Sequence, residues 1–194
     1  MRRYTCHCYR LEGKLSQSIT LDALQKQHFD WLLQIEAAAR REGFIRGNDR
    51  AGHAAFFAQA DSLYLRIMCA GEPAGYVILS GFSGPDKVIE LGRIVIDEAF
   101  RGIGQMALKA IIARIFADPE IHKIWLDTLD HNLKGQHIYT KLGFTLEGRL
   151  REAFLMNDRR HDMLIYGLLR EEWLAQGTGS LLAANPVTKS EQDG

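Results

Sequence analysis

The chain has 194 residues, 46% of them hydrophobic, with a formal net charge of zero and an isoelectric point near 7.1. That length supports one domain with a sizeable core, and the neutral balance argues against a nucleic-acid binder, which carries a basic excess. No apolar run approaches the roughly 20 residues of a membrane helix, and the charged start Met1–Thr5 has no apolar stretch behind it to read as a secretory signal.

In chain order, residues 3–12 are expected to form a first strand, carrying Cys6 and Cys8 on one face. These two cysteines have no second pair for a zinc site. With Cys69 they read as reduced thiols of a cytoplasmic protein. The spacing of Leu21, Leu24, His28, Trp31, Leu32 and Ile35 predicts a helix over 20–41, with this stripe facing the core. A loop over 43–52, turning at Gly47-Asn48-Asp49, precedes a short helix over 54–60. Strands are predicted at 62–70 and 74–81, joined by a turn at Gly71-Glu72-Pro73, and at 87–97. A helix is predicted over 102–117, with Leu108, Ile111, Ile112, Ile115 and Phe116 on one face and Asp118-Pro119 ending it. A strand over 122–128, a helix over 132–142 stopped by Gly143, and strands over 144–150 and 163–169 turning at Asn157-Asp158 complete the pattern. Residues 1–174 are expected to form the domain, and 175–194, rich in small and polar residues, a flexible tail. The order of elements implies an α/β chain laid out as α+β. Its sheet is mixed and mostly antiparallel, of about six or seven strands, with helices on both faces.

The run from Asp97 to Ile111 carries the chemistry. Gly102, Gly104 and Arg101 stand where a strand passes into a helix, so backbone N–H groups converge at a helix N-terminus that favours anions. A dinucleotide loop would need a third glycine and a distal acid, and a nucleotide P-loop needs Gly-Lys-Ser/Thr; neither is present. A pyrophosphate held by the amides of Arg101, Gly102, Ile103, Gly104, Gln105 and Met106 remains, as does a tight turn without ligand.

The stretch Ile89–Ile96 followed by Arg101-Gly102-Ile103-Gly104 resembles the acetyl-coenzyme A motif of the GNAT superfamily of N-acetyltransferases, Arg/Gln-x-x-Gly-x-Gly/Ala. Arg101 and Gly104 match, and Met106 stands where the family has Gly or Ala. A second block, Asn132, Tyr139, Lys141, Gly143 and Phe144, has the spacing Asn-x6-Tyr-x-Lys-x-Gly-Phe of the family's later helix and strand. Residues 147–153 and His161-Asp162 look like the branch that acetylates ribosomal-protein N-termini. The resemblance implies a central strand pair that splays apart, with the backbones of Ile94, Val95 and Ile96 offering an edge to the amide-bearing arm of acetyl-CoA. It also implies coenzyme contacts from Asn132 and Tyr139, with Tyr139 as the acid for the departing thiolate. Asn132 also reads as a helix cap.

The acceptor must attack as a neutral amine, and a lysine-like amine is only about one part in 10³ neutral at pH 7, so a base helps. Glu90, a carboxylate among apolar strand residues, is the candidate, and a structural ion pair is its other reading. No metal ligand set is expected: His122, His131, His137 and His161 look scattered. His161 reads as an acceptor-pocket residue or a strand-end surface residue. The charges Arg149, Arg151, Glu152, Asp158, Arg159 and Arg160 suit a solvated hairpin or a homodimer edge better than a substrate site. The expected activity is acetyl transfer from acetyl-CoA to a small amine or a protein N-terminus in a ternary complex. Met106 leaves open a module that binds acyl-CoA without transferring.

Overall fold

In the computed structural model, which describes residues 18–177, short runs rich in apolar residues build one seven-stranded sheet in the order β1-β2-β3-β4-β5-β7-β6. The expected strand over 3–12, Cys6, Cys8 and residues 178–194 lie outside the described residues. The strands are β1 (Ile19–Ala23), β2 (Ser62–Cys69), β3 (Glu72–Ser80), β4 (Val88–Ile96), β5 (Lys123–Leu129), β6 (Thr145–Met156) and β7 (Arg159–Leu169). The helices are α1 (Phe29–Arg41), α2 (Arg50–Phe57), α3 (Gly104–Phe116), α4 (Leu133–Lys141) and α5 (Arg170–Ala175).

The helix expected over 20–41 is divided. Residues 19–23 are captured as β1 by the open edge of β2, with Ile19 opposite Cys69 and Ala23 opposite Leu65. Helix α1 begins only at Phe29, after a 3-10 turn over Lys26–His28. Leu24, Leu32 and Ile35 are all buried as the stripe demanded, but Leu24 is buried from the connecting link. Helix α2 starts before the expected Ala54, because the Asp49 carboxylate accepts a hydrogen bond from the amide of Gly52 at 2.7 Å and caps it. The β2–β3 turn also shifts. Ala70 and Gly71 both have positive φ, 52° and 90°, as a two-residue turn with right-handed strand twist requires, and Glu72 and Pro73 already lie on β3. Asn157 and Asp158 turn the β6–β7 hairpin in the same way, at the expected place.

The sheet carries helices on both faces, as expected. On one face Leu32 and Ile35 of α1 and Phe57 of α2 pack against Tyr64, Tyr76, Ile78 and Val95. On the other, Ile111, Ile112 and Phe116 of α3, Tyr139 of α4 and Trp173 of α5 share a larger core with Leu65, Ile67, Val77 and Ile124.

Two irregularities position the cleft. Strands β4 and β5 are the one parallel pair, and they pair only at Val88–Lys123, Ile89–Ile124 and Glu90–Trp125. Beyond Glu90 they diverge. On its other side β4 pairs Ile78 with Arg93 but Leu79 with Leu91, so Gly92 is bulged out of the ladder. A V therefore opens between the two strands, walled by residues 92–96 and 126–129.

Candidate active site

The V deepens into a cleft of about 800 Å³. Its β4 wall carries Ile94, Val95 and Ile96, which find no β5 partner, so that side of their backbone faces the cleft. This is the edge the sequence anticipated.

The floor at one end is the strand-to-helix turn. Asp97 accepts a hydrogen bond from the amide of Ala99 at 3.0 Å and starts a 3-10 turn over Glu98–Phe100. Gly102 follows with φ 102°, a conformation a side chain would strain. Helix α3 then starts at Gly104. Ile103 before it offers no side-chain cap, and the first turn holds no acidic residue. The N–H groups of Gly104, Gln105 and Met106 have no partner within their own helix, and Gly102, Gly104 and Gln105 line the cleft. An uncapped helix start over an open cleft suits a phosphate-bearing group. Arg101 lines the same end, two-thirds exposed, 3.3 Å from Glu42 and 3.6 Å from Glu98. Two residues of the predicted run contribute no cleft-lining side chain. Ile103 is buried in the core at 3% exposure, and Met106 is 43% exposed outside the cleft lining.

The opposite wall comes from β5 and α4. Asn132 caps α4: its Oδ1 accepts from the Gly135 amide and its Nδ2 donates to Thr128 Oγ1, both at 3.0 Å. This couples the helix to β5 and points the next turn, with Ile138 and Tyr139, into the cleft. Tyr139 is 7% exposed, with its ring against Phe144 and Tyr166. Burial first, then the negative charge of Asp127, pushes its phenol up to about 12, so it keeps its proton at neutral pH.

Glu90 does not reach the cleft lining. The bulge at Gly92 breaks the period-2 face that would have aligned it with Ile94. Its Oε2 instead accepts a hydrogen bond from Ser80 Oγ at 2.8 Å. The strand carboxylate that does line the cleft is Asp127, on β5 just past the last parallel pair. Burial and then the charge of Glu90 raise its pKa above the usual aspartate value. Sequence reasoning passed over Asp127, although the signal it used for Glu90, one acid within an apolar strand, was equally present in Lys-Ile-Trp-Leu-Asp-Thr-Leu.

Behind β4, Glu36 of α1 is 1% exposed and serves as a hub. Arg93 Nη1 lies at 2.6 Å, the Tyr76 hydroxyl donates at 2.8 Å and His53 Nε2 sits at 3.0 Å. Burial pushes the Glu36 carboxyl up, but His53, Arg93 and Tyr76 together hold it below the usual range. This network fixes Arg93, which lines the cleft. The loop between α1 and α2 closes the remaining side through Glu42, Phe44, Ile45 and Arg46. His161 lies outside the cleft lining, as do all six of the charged hairpin residues, where Arg149 pairs with Asp162.

A profile of the acetyltransferase (GNAT) family matches residues 25–144. YdaF of Bacillus subtilis, described as a candidate ribosomal N-acetyltransferase, is 24% identical over 118 residues, 60% of this chain and 64% of that protein. Spermidine N(1)-acetyltransferase of Escherichia coli K12 is 30% identical over 112 residues, 57% of this chain and 60% of that protein. The match thus spans less than two thirds of either relative. The spermidine N-acetyltransferase of Vibrio cholerae, solved in complex with CoA and spermine, superimposes with a TM-score of 0.71 at 20% identity, covering 80% of this chain and 98% of that one.

Proposed function

Because the chain belongs to the GNAT acetyltransferase family, we propose that its cleft moves an acetyl group from acetyl-CoA to a primary amine, directly, within one ternary complex. The observation that carries this reading is the V between β4 and β5, with uncapped amides at one end and Asp127 and Tyr139 on the far wall. Met106, which left a binding-only module open, has its side chain outside the cleft lining and obstructs nothing there.

Acetyl-CoA would supply the acetyl group activated as a thioester. The amides of Gly104, Gln105 and Met106, with the Arg101 guanidinium, would hold its diphosphate, and the free edge at 94–96 its amide-bearing arm. Arg101→Ala is expected to weaken coenzyme A binding by about 1–2 kcal/mol, the scale of one charge-assisted hydrogen bond to an exposed partner. Calorimetric titration with coenzyme A checks this.

Asp127, which lines the cleft where Glu90 does not, would take the proton of the incoming ammonium, directly or through one water. Glu90 acts at one remove, by keeping the basicity of Asp127 raised. Tyr139 serves the departing sulfur. With its pKa near 12 against about 8.5 for a free thiol, complete proton transfer would be uphill by roughly 5 kcal/mol. The phenol therefore acts as a hydrogen-bond donor to the developing thiolate. Tyr139→Phe is expected to lower turnover about 10²-fold, the lower end of acid catalysis, and to leave coenzyme A affinity unchanged. Loss of coenzyme binding, or unchanged turnover, would remove the role. Among the described residues no cysteine lines the cleft, the buried Cys69 lying outside it, which suits direct transfer over a covalent acyl-enzyme.

The acceptor class is a small amine or a protein N-terminus, bracketed by relatives named for spermidine and for ribosomal acetylation. A panel of polyamines and peptide N-termini with acetyl-CoA, read by mass shift, decides between them, and no acetylated product on any acceptor would overturn the proposal. The expected homodimer contact is assigned to the edge strand β6, where Leu146, Leu150 and Leu155 are about half exposed.

A further inference from the structure

Two histidines that look unrelated in the sequence meet beside the cleft. His131 follows β5, and His161 is the third residue of β7, opposite Phe154 on β6. Their rings lie 4.5 Å apart, centroid to centroid. Both direct Nδ1 at the same oxygen, Asp130 Oδ1, at 3.4 Å from His131 and 3.5 Å from His161. One donor atom from each of the three residues lies within 4.8 Å of the others.

The other side of the His131 ring decides how these atoms are to be read. Its Nε2 is 2.9 Å from the carbonyl oxygen of Gly43. A carbonyl only accepts, so Nε2 carries the proton, and in the neutral ring Nδ1 then presents a lone pair. That lone pair faces a carboxylate oxygen, which is itself an acceptor. A ligating histidine is held in this way, with its distal N–H donated to a backbone carbonyl and its free nitrogen turned to the ion. The spacing agrees. Zinc bonds of about 2.0–2.2 Å to nitrogen and oxygen place tetrahedral ligand atoms about 3.3–3.5 Å apart. His131 and Asp130 are about one-third exposed, which leaves room for water as a fourth ligand.

We propose that Asp130, His131 and His161 form a binding site for a divalent cation of the zinc class, separate from the coenzyme and acceptor sites. The ion would join three segments that frame the cleft: the turn leading from β5 to the cap of α4, the start of β7 and, through Gly43 and the Phe44 ring stacked on His131, the α1–α2 loop. Its role is to fix that loop, whose Glu42, Phe44, Ile45 and Arg46 line the cleft. The inference does not rest on the acetyl-transfer reading.

The test is calorimetric titration of the full, tag-free chain with Zn²⁺ alone, without coenzyme, at pH 7 in a non-chelating buffer. The parent is expected to bind one ion. His161→Ala and Asp130→Asn are each expected to weaken that binding by more than the 10–100-fold that loss of an outer-shell partner costs. His137→Ala, outside the cluster, should leave it unchanged. Co²⁺ substituted in the parent should show the visible absorption of a tetrahedral site, absent from both cluster variants. An absence of one-to-one binding by the parent, or binding undiminished in both variants, would overturn it.

Discussion

Asp127→Asn is expected to lower turnover by about 10²–10⁴-fold, the contribution of a general base, while the melting temperature holds or rises. Burial and the nearby Glu90 raise the aspartate's pKa in the folded protein. A carboxyl whose pKa is raised by folding contributes stability only below its unfolded pKa, near 3.9, and that contribution is lost as pH climbs through the higher folded value. At neutral pH the ionised group is therefore a cost to the fold. Asparagine keeps the shape and removes the charge, so activity and stability should move in opposite directions. A merely structural carboxylate would lose both together. The pH profile gives a second check. The acid limb of kcat/KM should lie above the ordinary carboxylate range in the parent, move down in Glu90→Gln and vanish in Asp127→Asn. Turnover of Asp127→Asn within twofold of the parent would exclude Asp127 from the chemistry.

Glu36→Ala is expected to cost about 3–5 kcal/mol of stability, because it leaves Arg93 and His53 facing a vacated, buried position. For a chain of this size that corresponds to a fall in melting temperature on the order of 10 °C. Glu36→Gln should cost less, since it keeps groups able to bond Tyr76 and His53 and loses only the charge. Folding depresses the Glu36 pKa. Its stabilising contribution is thus present above the unfolded glutamate pKa, near 4.3, and is lost as pH falls through the lower folded value. The parent should accordingly lose more stability than Glu36→Gln on acidification below about pH 4. Thermal melts at pH 7 and in the acid range measure both effects, and a Glu36→Ala melt within 2–3 °C of the parent, under 1 kcal/mol for a chain of this size, would show that the hub contributes little.

The elements easiest to read were those in which local pattern and tertiary demand agree. Helix α3 has an apolar stripe, a glycine entry and an Asp-Pro exit, and it forms within two residues of its expected bounds. The β6–β7 turn is dictated by Asn157 and Asp158, which tolerate positive φ. Where the two demands conflict, tertiary structure decides. Residues 19–23 have helical spacing, yet the unpaired edge of β2 offers five residues of ladder, and the chain takes it. The strand-to-helix turn that ends the cleft was legible because it depends on backbone and glycine, which follow sequence order. The side chains proposed for proton transfer were half legible. Tyr139 sits on a helix whose phase is known, whereas the choice between Glu90 and Asp127 turns on a one-residue bulge at Gly92 that no alternation pattern discloses. The histidine cluster escaped because its members are 30 residues apart on different elements, and scanning for ligands along one helix cannot find a site closed by strand pairing.

The three residue pairs that join β4 to β5 also bear on how the molecule endures in the cell. Strands β1–β4 and strands β5–β7 are each well laddered within themselves, and only this short seam binds the two half-sheets edge to edge. A cosubstrate whose arm carries its own amides would supply the rungs that polypeptide leaves out. Its occupancy then adds RT ln(1 + [L]/Kd) to the folding free energy, about 2.7 kcal/mol when it is present at about a hundred times its Kd. Metabolic state would thereby set not only how fast this protein works but how long each copy survives proteolysis.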